Sequence, residues 1–187
     1  MTDKRVFDPD ILKTQQWVEE IIIGLNFCPF AKKEFVNNTI HYELCNEKKM
    51  VSALEKLAKQ CEKLIEEPNI ETTLLIFNNG FKTFESYLDL LDYANELLTT
   101  QGYEGVFQLA SFHPDYYFEG ELYDAASNYT NRSPLPILHL IREASMEKVL
   151  SVYKNPDQIP ENNIALAEAK GANYFKNILQ RIHNLHV

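Results

Sequence analysis

At 187 residues the chain is long enough for one domain with a substantial core, and its 45% hydrophobic and 24% charged content is that of a globular protein rather than a disordered one. A net charge of −9 and a pI near 5.1 leave no electrostatic footprint for nucleic acid or for an anionic membrane surface. The N-terminal stretch has no signal-like apolar region and no run approaches the ~20 apolar residues of a membrane helix, so the expected location is the cytoplasm.

Cys28, Cys45 and Cys61 are odd in number and form no Cys-x-x-Cys pair, so all three read as reduced thiols. Asn128-Tyr129-Thr130 fits a glycosylation acceptor, which is irrelevant to a chain that stays in the cytoplasm. The prolines are scattered and no repeat or low-complexity tract appears. A single domain over residues 1–187 is expected, with flexible ends at about 1–7 and 184–187.

In chain order, Asp8-Pro9 is a cap and first-turn signal. Ile11, Trp17, Val18, Ile21, Ile22 and Leu25 then supply an apolar helical stripe ending near Phe27. Pro29 disfavours helix at Cys28, which makes 28–30 a turn. Residues 39–45 alternate as a strand does. From 47 to 66, apolar residues recur at helical spacing, and Pro68-Asn69 closes that helix. Residues 71–77 form a continuous apolar, β-branched run, as in a strand covered on both faces. Thr83 caps a second amphipathic helix that stops before Gly102, and residues 105–112 read as a third strand.

This β-α-β-α-β order predicts parallel strands with helical crossovers, in a three-layer α/β domain with a small, mainly parallel sheet and a helical C-terminal part. An α+β, ferredoxin-like arrangement is the alternative. Ligands in such sheets bind at the strands' carboxyl ends, here Cys45-Asn46, Asn78-Asn79-Gly80 and His113-Pro114-Asp115. No glycine-rich phosphate loop is present. Beyond a polar, aromatic stretch, Ser133-Pro134 predicts a helix with Ile137, Leu140, Ile141 and Ala144 on one face and His139, Arg142 and Glu143 on the other. A strand there would mix Ile, His and Ile on one face. Ser145 restarts a helix to Tyr153, and a C-terminal helix spans 161–183, bent or interrupted at Gly171.

The blocks Asn26-Phe27-Cys28-Pro29-Phe30-Ala31 and Ser111-Phe112-His113-Pro114-Asp115-Tyr116, with Trp17-Val18-Glu19, 71–75, 128–134 and 139–145, resemble a bacterial family of proteins about this long, known only as a domain of unknown function. The resemblance runs from about Trp17 to Gly171. It implies a complete family member and transfers no catalytic residue.

Residues 111–143 hold the densest candidate chemistry. His113, at a strand end, is a candidate general acid/base or metal ligand with Asp115 as its partner; the competing reading is a histidine that only fixes the turn through loop backbone. His139 and Arg142 share a polar helix face that either converges on His113 or is simply solvated. Arg132, beside Asn128 and Asn131 at a helix start, suits a carboxylate or phosphate, or else pairs with Asp124 or Glu121 to tie down the loop.

Tyr116 and the neighbouring aromatics either wall a ligand pocket or form the loop's own core. Cys28 is a candidate nucleophile, against burial as a small apolar residue. The leading expectation is an enzyme on a small anionic metabolite, with catalytic His113, Asp115, His139 and Cys28. Arg132, Arg142, Asn128, Asn131 and Tyr116 would hold substrate, and a divalent metal on His113, Asp115 and His139 is a candidate cofactor. The alternatives are a non-catalytic ligand-binding or protein-interaction domain, and a thiol enzyme built on Cys28. The oligomeric state is not readable.

Overall fold

A computed structural model describes residues 8–185, so of the ends expected to be flexible at about 1–7 and 184–187, residues 1–7 and 186–187 lie outside the described residues. Asp8 caps helix α1 (Pro9–Trp17) by accepting a hydrogen bond from the Asp10 N–H, with Pro9 in the first turn. The helix widens into a π-helical segment, Val18–Ile23, instead of running as regular α-helix to Phe27. Gly24 closes the wide turn, where an added Cβ would lie 2.3 Å from the Glu20 carbonyl oxygen. A short helix not expected from the sequence, α2 (Ala31–Val36), follows the 28–30 turn.

Next come β1 (Ile40–Cys45), α3 (Met50–Glu66), β2 (Thr72–Phe77), α4 (Phe84–Thr100) and β3 (Phe107–Phe112), close to their predicted bounds. A 3-10 turn spans Ala126–Thr130 and precedes β4 (Ile137–Arg142). Helix α5 (Glu143–Leu150) follows, and the C-terminal helix is divided at Gly171, whose φ is 78°, into α6 (Ile159–Lys170) and α7 (Ala172–His183). Among the described residues, no helix is long and apolar enough to cross a membrane.

Two expectations fail here, and they fail together. Residues 137–142 are a strand, not a helix, and the four-stranded sheet of order β1-β2-β4-β3 is mixed rather than mainly parallel. Only β1 and β2 pair in parallel; β4 runs antiparallel to both of its neighbours. Strands β1, β2 and β3 still point the same way, so a slot between β2 and β3 remained to be filled. The β-branched Ile137 and Ile141 suit a buried strand there, and Ser133 Oγ donates to the Leu135 carbonyl in a local turn where a helix start was expected.

Alternation of side chains separates two cores. On one face Leu74, Ile76 and Ile137 pack with Trp17, Val18, Ile21, Phe27, Tyr129, Phe175 and Ile182. On the other, Leu75, Phe77 and Leu138 pack with Ala53 and Leu57 of α3 and with Phe84, Tyr87, Leu90 and Ala94 of α4. Tyr87 joins that second core to the sheet: its hydroxyl donates to the Ile137 carbonyl at 2.6 Å and accepts from the Phe112 N–H at 3.0 Å. Phe112 and Ile137 are register partners, so the phenol sits where the β3–β4 ladder ends. Tyr87→Phe leaves a buried donor and acceptor unmatched and is expected to cost about 2 kcal/mol in urea unfolding; wild-type stability would show that the bridge contributes nothing.

Candidate functional site

The aromatic and polar stretch after β3 is largely committed to its own packing, although Asp115, Tyr117 and Tyr123 line an open depression with Lys82, Thr83, Phe84 and Glu85. His113 is fully buried, with both ring nitrogens engaged by backbone: Nδ1 accepts from the Asp115 N–H at 3.0 Å, which leaves Nε2 to donate to the Phe81 carbonyl at 3.1 Å. Its ring lies against Phe84 and Tyr87 of α4. Burial pulls its pKa below the ordinary histidine value, with the Phe81 bond pushing the other way. Asp115 is exposed and accepts from the Tyr123 hydroxyl at 2.7 Å.

Arg132 is 4% exposed and does not pair with Asp124 or Glu121. Its Nε donates to the Tyr116 carbonyl at 2.9 Å and Nη2 to the Tyr123 carbonyl at 2.7 Å, and its guanidinium stacks on the Tyr123 and Tyr129 rings at 4.6 and 4.7 Å. Asn128 completes the clasp. Its Oδ1 accepts from the Phe118 N–H, and its Nδ2 donates to the Leu122 and Tyr123 carbonyls. Tyr116 packs its ring against Phe84 and Phe118. Arg132→Lys keeps the charge but loses the fork that reaches two carbonyls at once. Expected are a loss of about 2 kcal/mol in unfolding free energy and faster proteolysis within 116–123; a variant as stable and as resistant as wild type would contradict this role.

Arg142 and His139 lie on opposite faces of β4 because they are three residues apart in a strand, not on one helical face. Arg142 donates to the Leu64 and Ile70 carbonyls, where it satisfies the C-terminal end of α3, a natural place for a cation. Glu143 begins α5. The expected anion clamp of Arg132 and Arg142 is therefore not assembled. Among the described residues no three His, Cys, Asp or Glu side chains converge to hold a metal, so His113, Asp115 and His139 do not form the metal set expected of them.

What the structure does build is a cavity of about 410 Å³ over the other sheet face. Thr72 and Leu74 of β2, Ala110 and Phe112 of β3, and His139 and Ile141 of β4 form its floor. Trp17, Val18 and Ile22 wall one side, the wide π turn belonging to that wall, and Ser145, Met146 and Val149 of α5 with Asn163 and Ile164 of α6 wall another. Cys28 and Asn131 also line it. Ile40, Glu71 and Thr72 place it toward the beginnings of β1 and β2, while Phe112 brings it to the end of β3; the clusters expected to bind ligand, Cys45-Asn46, Asn78-Asn79-Gly80 and His113-Pro114-Asp115, do not line it.

His139 is the distinctive group in this cavity. Thr72 Oγ1 lies 2.7 Å from His139 Nε2 and donates its one proton to the Leu140 carbonyl at 2.6 Å. The hydroxyl can then only accept from the ring, so Nε2 carries the imidazole proton and Nδ1 keeps a bare lone pair. Among the described residues Nδ1 has no hydrogen-bond partner, and it is not among the fully enclosed polar atoms left without one. Burial holds the imidazole pKa down at about 4.

Cys28 shares the cavity, and burial pushes its thiol pKa up, with backbone contacts from Phe30 and Ala31 opposing. Asn131 donates to the Ser111 carbonyl and accepts from Thr130 Oγ1, and Asn163 donates to the Phe27 carbonyl, so both amides serve the walls. The sequence marks only part of this cavity: His139, Cys28 and Asn131 stand out by residue type and line it, whereas Thr72 and Glu71 read simply as part of a buried strand.

Above pH ~6.5 His139 is neutral in the folded and the unfolded chain alike; between ~6.5 and ~4 only the unfolded chain takes up the proton, so stability falls as pH falls. The depressed pKa of His113 acts in the same direction. Between pH 7.5 and 4.5, wild type is expected to lose about 2 kcal/mol more than His139→Leu, measured by urea denaturation. Parallel pH profiles for the two proteins would refute a buried, neutral His139.

No curated protein and no solved structure matches this chain. Residues 10–177 match the model of a family described as protein of unknown function (DUF1415), and the chain belongs to that family.

Proposed function

We propose that the chain binds a small, largely apolar molecule in the His139 cavity, through a hydrogen bond that the ligand donates to Nδ1. The observation that carries this reading is the Thr72 hydroxyl, which donates to the Leu140 carbonyl and so leaves His139 Nδ1 a lone pair, with no partner among the described residues, at the wall of a mostly apolar enclosure. Cavities of this size that are mostly apolar and hold a few fixed polar groups are the usual form of small-molecule sites. A lone pair left unmatched in such surroundings costs free energy, so a ligand donor there gains more than it would at the surface.

Binding is favoured over acid/base catalysis because a histidine held near 4 is a weak base at neutral pH. It is favoured over thiol chemistry because burial raises the Cys28 pKa against the weaker opposing pull of the Phe30 and Ala31 backbone, and no hydrogen bond joins Cys28 to His139. A small anionic metabolite loses its support once both arginines are committed to backbone carbonyls.

The test uses 1-naphthalenemethanol, a two-ring apolar body with one hydroxyl donor. Calorimetric titration is expected to show saturable one-site binding to wild type, with the His139 Nδ1 nitrogen resonance moving as the donor engages it. Ala110 is the register partner of His139 and lines the cavity, so Ala110→Leu fills the space beside the imidazole and is expected to abolish the heat without unfolding the protein. Equal binding by Ala110→Leu, or an unmoved Nδ1 resonance at saturation, would place the ligand elsewhere.

A further inference from the structure

Charge around the cavity narrows the ligand class. Its lining includes two carboxylates, Glu34 and Glu71, and no lysine or arginine among the described residues. Glu34 is already committed, accepting from Thr39 Oγ1 at 2.6 Å and pairing with Lys33 at 3.1 Å. Glu71 has neither an ion-pair nor a side-chain hydrogen-bond partner among the described residues, although it is partly buried. It immediately precedes Thr72, the residue that sets the His139 tautomer, so Glu71 and His139 both contribute to the lining around Thr72.

From this we infer that the cavity takes an apolar amine, its hydrocarbon or aromatic body over Leu74, Ala110 and Phe112 and its ammonium group at His139 Nδ1, in the negative potential of Glu71 and Glu34. The inference rests on the cavity being a ligand site at all. An ammonium has N–H donors to spare, so it can donate to His139 Nδ1 while the Glu71 and Glu34 carboxylates favour its charge through the negative potential they give the cavity. A carboxylate ligand would meet two like charges and find no donor on Nδ1, because that nitrogen carries no proton in the tautomer Thr72 imposes. The net charge of −9 disfavours an anion further as it approaches.

The experiment holds the body constant and changes only the charge. 1-Naphthylmethylamine, 1-naphthalenemethanol and 1-naphthoic acid are titrated calorimetrically into wild type, Glu71→Gln and Glu34→Gln/Glu71→Gln at pH 7.5 and low salt. In wild type the amine is expected to bind about tenfold tighter than the alcohol, the scale of one partly desolvated charge pair, and the acid weakest. Glu71→Gln should remove most of that preference, bringing amine affinity down toward that of the alcohol. If the alcohol binds as tightly as the amine, or the acid binds best, the amine assignment is overturned while the cavity stands as a neutral-ligand site. If the amine's advantage survives in the double variant, these carboxylates are not its source and the assignment also falls. If none of the three binds, the ligand site itself is refuted, and the amine assignment with it.

Discussion

Strand β4 is the constraint on which the rest of the molecule depends. It occupies the slot between β2 and β3, pairs antiparallel with both, and so completes a sheet whose other three strands all point one way. A strand buried on both faces must satisfy all its backbone groups in the ladders, and β4 does so along its length until Tyr87 takes over at its first residue. The two-residue period then assigns its side chains: Ile137, His139 and Ile141 to the face bearing the cavity, Leu138, Leu140 and Arg142 to the face covered by α3 and α4. A one-residue slip would exchange a neutral cavity imidazole for a guanidinium.

The long connection from β3 to β4 can be understood from the same requirement. Its chain leaves one strand end, wanders over the surface and returns to a neighbouring strand, and its carbonyls and N–H groups cannot all find ladder partners. His113, Asn128 and Arg132 supply them, each bonding backbone rather than another charged group. Arg132 is suited to this because a planar fork can serve two carbonyls while its face stacks on tyrosine rings. Trp17 ties the clasp to the first core by donating its Nε1–H to the Arg132 carbonyl at 3.0 Å. Residue types that look like a catalytic set are therefore also the types needed to give a long, partly buried loop its internal hydrogen bonds.

The cavity is the complement of that economy. Walls contributed by α1 and its π-helical continuation, α2, α5 and α6 meet over the sheet without filling it, and Ala110 is the small side chain opposite His139. Most polar groups nearby are consumed in holding the walls, as with Asn131 and Asn163. What is left over among the described residues is small in number and chemically specific, chiefly an imidazole lone pair and a carboxylate, with the Ser145 hydroxyl also lacking a hydrogen-bond partner. On the same sheet face, two strands from His139, the Tyr42 hydroxyl is also enclosed without a partner, for which the packing offers no account.

Much of the architecture could be read from local pattern. The Asp8-Pro9 helix start, α3, β2, α4, β3 and the break at Gly171 all follow from periodicity, caps and breakers that act within a few residues, and the common direction of the first three strands follows from their helical crossovers. His139 and Cys28 were identifiable as chemically interesting because of their residue types. What local pattern could not decide was the state of 137–142, a short apolar run whose helical and strand readings differ only in which neighbours receive its side chains. Only the tertiary structure supplies those neighbours. It placed β4 in the open slot, sent Arg142 to the end of α3 and spent His113 and Arg132 on loop backbone, and it brought Thr72 against His139 from 67 residues away. Hydrogen bonds and cavities depend on distance in space, which pattern along the chain does not encode.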